Sequence, residues 1–118
     1  MPASSTFTKT TGLTNSLVLV RSKPTIITCI RAWTTAAGIA ADAYVQLFDA
    51  SATAGITLGT TVADYVVVLD FGAAEVTSGD GLPTNGVTFK NGVVAAWTTT
   101  PYGAGANAAT ATLQLGIQ

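Results

Sequence analysis

Apolar and polar residues alternate along most of this chain in short runs, and the runs are rich in Val, Ile and Thr, whose β-branched side chains suit a pleated strand. "NSLVLVRS" (15–22) is the first clear run, ended by Lys23-Pro24. "TIITCIRAWTT" (25–35) places Ile27, Cys29, Arg31 and Trp33 on one face and Ile26, Thr28, Ile30 and Ala32 on the other. It is apolar on both faces for part of its length, which predicts a central strand. "AYVQLFDA" (43–50) sets Val45 and Leu47 against Tyr44, Gln46 and Phe48, and "DYVVVLDF" (64–71) holds a β-branched core between Asp64 and Asp70. "VTFK", "VVAAWTTT" and "ATLQLGI" follow. The last alternates cleanly, with Leu113, Leu115 and Ile117 inward and Thr112, Gln114 and Gly116 outward. "TFTKT" near the start adds a short strand. Only "AAGIAADA" (36–43) has the alanine content of a helical turn, and it is too short and too Gly-interrupted to form an independent helix.

About eight strands without a helix predict an all-β fold, an antiparallel β-sandwich of jelly-roll or Greek-key type. The long connections at 50–61 and 72–84 favour that class over an up-and-down barrel, because a strand crossing between sheets is expected to need a long connection. Asn-Gly-Val occurs twice, at 85–87 and 91–93. Asn-Gly is the signature of a two-residue type I′ turn. Asn91-Gly92 therefore predicts a hairpin pairing "VTFK" with "VVAA" and bringing Phe89 near Val94. Asn85-Gly86 is expected to end the preceding loop.

The 118 residues are enough for one domain. Residues 15–118 are expected to form the sandwich and 1–14 a flexible N-terminal arm. Charged residues are 9% of the chain, against roughly 25% in ordinary soluble domains. Thr, Ser, Ala and Gly can solvate such a surface, but a weakly charged, apolar-leaning exterior resembles one covered by partners. Lys9, Arg21, Lys23, Arg31 and Lys90 form no run, which argues against a nucleic-acid partner. Cys29, the single cysteine, lies in the apolar run "IITCIRAW" and is expected to be a small buried hydrophobe. The longest apolar runs are too short to span a bilayer, and no targeting segment is evident. Synthesis in a cytoplasm, with no membrane partner, is the expectation.

Candidate chemistry is sparse. The chain has no histidine, so the commonest general base and zinc ligand are both missing. Asp64 and Asp70 would share a strand face about 20 Å apart. The paired carboxylates of glycoside hydrolysis need roughly 5–9.5 Å. "TSGDG" reads as a turn rather than a calcium loop, and neither a P-loop nor a Gly-x-Ser-x-Gly elbow is present. No enzymatic activity, cofactor or metal is expected. Trp97 and Tyr102 flank the loop "TTTPYGAGAN", where exposed aromatics can stack on sugar rings. The competing reading puts Trp33 and Trp97 in the core or in a subunit interface.

"AYVQLFDASATAGITLGTT", the later "GLPTNGVTFKNGVVAAWTTT" and the closing "ATLQLGI" resemble small virion structural proteins of tailed bacteriophages. In that group a Tyr-Val-x-Leu-Phe/Tyr-Asp strand leads to a Gly-Thr-Thr loop. A later Pro-x-Asn-Gly-x-x-Phe-x-x-Gly-Leu/Val segment ends in Ala and Thr. The resemblance covers roughly residues 30–118. It implies a capsid decoration (cement) protein on the outer capsid surface of a virion, made in the host cytoplasm. The implied partners are the major capsid protein and further copies of the chain, as a homotrimer. A tail or head-fibre component with a carbohydrate-binding role is the alternative. The N-terminal arm is then expected to order against a partner, with Phe7, Lys9, Trp97 and Tyr102 as the candidate partner contacts.

Overall fold

The computed structural model describes residues 6–34, 42–69, 75–77, 86–107 and 109–118. These residues hold nine strands and no helix: β1 (Thr6–Leu13), β2 (Val18–Arg21), β3 (Thr25–Thr34), β4 (Ala43–Asp49), β5 (Tyr65–Leu69), β6 (Glu75–Thr77), β7 (Val87–Phe89), β8 (Val93–Thr98) and β9 (Ala111–Ile117). They form a β-sandwich of two antiparallel sheets. One sheet has the order β1-β9-β3-β6, with β7 also paired to β3, and the other has the order β2-β8-β4-β5. Most of the helical candidate 36–43 lies outside the described residues; its last residue, Ala43, opens β4.

The core lies between the sheets and is built from the inward positions of both. Ile27, Ile30, Ala32, Leu113, Leu115 and Ile117 come from the first sheet, and Val45, Leu47, Val67, Leu69, Ala95 and Trp97 from the second. Burying each of the larger side chains contributes about 1.5–3 kcal/mol. The alternation read for β9 holds. In β3 it breaks, because Ile27 pairs with Ile117 while Cys29 pairs with Gly116. Thr28 is an extra residue opposite β9, a β-bulge, and it shifts the phase of everything before it. Ile27 is therefore buried in the core, whereas Cys29, Arg31 and Trp33 are half-buried on the outer face. The expectation of a core cysteine is corrected by this geometry.

The short strand expected at "TFTKT" is present, and two further expectations are corrected. Residues 6–13 form β1 and pair with β9 of the same chain, from Thr6 opposite Ile117 to Leu13 opposite Ala111. Alternating Thr, Phe and Lys gave this stretch a strand pattern, and the open edge of β9 satisfies its backbone. The turn-rich segment after Phe71 contains a strand, β6, paired with Arg31–Trp33. Finally, Asn91-Gly92 is not a hairpin turn. Its flanking strands belong to different sheets, β7 pairing with β3 and β8 with β2 and β4.

Two of the crossings between sheets are made by short corners. Residues 22–24 carry the chain from β2 to β3 and 90–92 from β7 to β8, each time between sheets. Facing sheets lie about 10 Å apart, a span that three extended residues cover. The long connection 50–64 stays within one sheet, joining the neighbours β4 and β5. Asn91 has no positive φ, which a type I′ turn would demand. Gly92 is required for a different reason. A Cβ there would meet the backbone carbonyl oxygens of Arg21 and, at 2.6 Å, Ala50.

Candidate interaction surface

The two outer faces of the sandwich differ. On the outer side of the β2-β8-β4-β5 sheet, Phe48 stands opposite Val94 and Gln46 opposite Ala96. All four are buried, although they face away from the core. Loop 99–107 covers the β4–β8 part of this face, whereas Leu19 of β2 and Val68 of β5, at its margins, are exposed. Gln46 Nε2 donates to Thr98 Oγ1 at 2.8 Å, to the Gly103 carbonyl at 3.0 Å and to the Thr100 carbonyl at 3.3 Å. Thr98 Oγ1 donates to the same Thr100 carbonyl at 2.7 Å. Asn15 Nδ2 holds the Ala104 carbonyl at 2.9 Å, and Gly59 of the β4–β5 loop approaches Ala104. The small side chains of Ala95 and Ala96 leave room for Trp97 on one side and this cover on the other.

The outer side of the other sheet is open at its β1 end. Phe7, Lys9, Gln114, Arg31 and Trp33 lie on it, with Lys9 and Arg31 both opposite Gln114. Phe7 is 65% exposed, its ring leaning over Gly116, and Lys9 beside it is exposed. The Arg31 guanidinium sits 5.9 Å from the centre of the Trp33 ring, within cation–π range.

The candidate contacts therefore separate. Phe7 and Lys9 share one strand face, two positions apart on β1. Tyr102, 72% exposed, is on the loop capping the opposite sheet. Trp97 is fully buried in the core, its Nε1 donating to the Ala109 carbonyl at 2.7 Å. It cannot touch a partner without opening the sandwich, so it is withdrawn as a contact. Its inward position follows from the alternation of β8, in which Val93, Ala95 and Trp97 share a face. Arg31 and Trp33 share a face in the alternation of β3, and of the two only Trp33 was expected in the core or a subunit interface.

Among the described residues, no group of His, Cys, Asp and Glu is placed to hold a metal ion, and no helix is long and apolar enough to cross a membrane. Asp49 is the carboxylate with a distinct environment. Burial opposes its charge, but N–H donors from Asn91, Lys90 and Gly92 outweigh that and hold its carboxyl below the ordinary value. These donors belong to the 90–92 corner, so the role is structural. No family model, curated protein or solved structure matches this chain.

Proposed function

We propose that the chain is a non-enzymatic structural protein of a phage virion that decorates the outer capsid surface and stabilises the shell by bridging neighbouring capsomers. The observation that carries this reading is the asymmetry of the sandwich. One outer face is covered over β4 and β8 by the chain's own loop, with Leu19 and Val68 exposed at its margins, while the other presents Phe7 and Lys9 on a long edge strand, on the same sheet face as half-buried Trp33. An open face on a protein with 9% charged residues suits permanent burial against a partner. Its partner in this reading is the major capsid protein. The order β1-β9-β3-β6/β7 against β2-β8-β4-β5 supports the jelly-roll arrangement, with β6 and β7 as two pieces of one strand along β3. Homotrimers at local three-fold axes are the symmetry that such a clamp would use. Shell stability would rise by mass action, since the clamp binds only the assembled lattice.

Density-gradient fractionation of the producing culture, with this chain quantified against the major particle protein, tests the proposal. Hundreds of copies cosedimenting with heads, whose loss lowers shell stability, is the expected result. Absence from every particle fraction would overturn it.

The exposure of Tyr102 on an anchored loop favours one alternative, a tail or head-fibre component that binds carbohydrate. That reading expects a few copies tracking with tails, and oligosaccharide binding that Tyr102→Ala abolishes.

A further inference from the structure

We propose that β1 is a docking edge for a second copy of this chain, the two β1 strands pairing antiparallel about a two-fold axis at Thr8. The inference goes beyond the capsid reading and stands without it. Among the described residues β1 pairs only with β9, so its other backbone edge is open. Proteins ordinarily blunt such edges by shortness, bulges, proline or charge. The other edge strands here follow that rule. β2 has four residues and a shifted register, β5 has five residues, and β6 and β7 have three each. β1 has eight residues, no proline and one charge, and its own register shift lies beyond a regular stretch of five residues, after Thr10.

The register follows from the strand itself. The regular pairing of β1 runs from Thr6 to Thr10 before it shifts, and Thr8 is its midpoint. Centring the two-fold there uses the whole regular stretch. Thr8 then faces Thr8 of the second copy, and Phe7 faces Lys9 of the second copy on the open outer face. A ring beside a lysine stem and ammonium is favourable, and the symmetry makes the contact twice. Centring on Lys9 instead would oppose two ammonium groups, which destabilises a ladder. Centring on Thr10 would run into the bulge, and centring on Phe7 would pair only Thr6–Thr8 of the regular stretch.

A second observation marks the same residue. Thr8 Oγ1 is shielded from water and has no hydrogen-bond partner within the chain. A buried hydroxyl left in that state is costly, and a rotation of the Thr8 side chain towards a threonine directly opposite would give it the partner that cross-strand Thr pairs use. The paired sheets form one continuous layer with their open faces side by side. In a capsid lattice this two-fold contact would tie neighbouring trimers to one another.

Cysteine cross-linking and sedimentation test the register. In a Cys29→Ser background, Thr8→Cys treated with copper-phenanthroline is expected to form a disulfide dimer at least roughly tenfold faster than Lys9→Cys, because only position 8 meets itself within the ~7 Å Cα limit. Phe7→Lys, which opposes two ammonium groups, is expected to shift sedimentation towards the smaller species, while Phe7→Glu retains the association through Lys9. Cross-linking at position 8 no faster than at position 9 would overturn the proposal. So would equal sedimentation of the two Phe7 variants, or a wild-type chain that stays monomeric or purely trimeric.

Discussion

Asp49 Oδ1 accepts the backbone N–H of Asn91 at 2.8 Å, and Oδ2 accepts that of Lys90 at 3.0 Å. The last residue of β4 thereby holds the corner that takes the chain from one sheet to the other. Asp49 is itself held, since its backbone N–H donates to Asp64 Oδ2 at 2.7 Å. Two carboxylates thus order the β4–β5 and β7–β8 connections at one end of the sandwich.

Asp49→Ala removes the acceptor for these amides and is expected to cost about 1–2 kcal/mol, limited by solvent access to the corner. Urea titration of variant and parent measures the difference. An unchanged midpoint would show that the corner holds itself.

Acid should weaken the same corner in the parent. The folded-state pKa of Asp49 lies below its ordinary value, so its contribution is present in full above the unfolded pKa, near pH 4. It is lost as pH falls from there through the folded value. Melting temperatures followed from pH 6 to pH 2 should therefore drop more steeply for the parent than for Asp49→Ala, about pH 4 and below. Parallel curves would contradict this linkage.

Gly92→Ala should be among the most damaging single-methyl additions. Its Cβ would meet two backbone carbonyls, neither of which can rotate away, and a loss of about 3 kcal/mol is expected. Thermal unfolding reads it. A loss within about 0.5 kcal/mol, typical of an open surface site, would contradict the close approach.

Gln46→Leu keeps the side chain's bulk but removes the donor to Thr98 Oγ1, Gly103 and Thr100. The cap over β4 and β8 should loosen at a cost of about 2 kcal/mol. Amide exchange should rise at Thr99, which donates to the Gly105 carbonyl within that loop, and stay unchanged in β9. Unaltered exchange at Thr99 would mean that the loop is held by other contacts.

The two tryptophans should respond differently to an aqueous quencher. Iodide is expected to quench Trp33 but not Trp97, so Trp33→Phe should leave a blue-shifted emission that iodide does not reach. Quenching in that variant would place Trp97 at the surface.

The alternation of Val, Ile, Leu and Thr with polar residues determined by itself that this chain is a β-sandwich, and it located eight of the nine strands. Side-chain periodicity is a property of each strand alone, so Leu113, Leu115 and Ile117 could be assigned to the core before any partner was known. β6 escaped because three residues between turn signals carry too little period to register. What the tertiary structure alone decided was which strand meets which. Of the two long connections expected to cross between sheets, the one after β5 does lead from one sheet to the other, but 50–64 stays within one sheet, and the short corners 22–24 and 90–92 also make crossings. Loop length sets only the greatest distance that a connection can reach, and two sheets about 10 Å apart are within reach of three residues. Thr28 could not be recognised as a bulge, since an extra residue exists only relative to the neighbouring β9. The cover over β4 and β8 likewise depends on Gln46 meeting residues more than fifty positions away, a relation that local pattern does not encode.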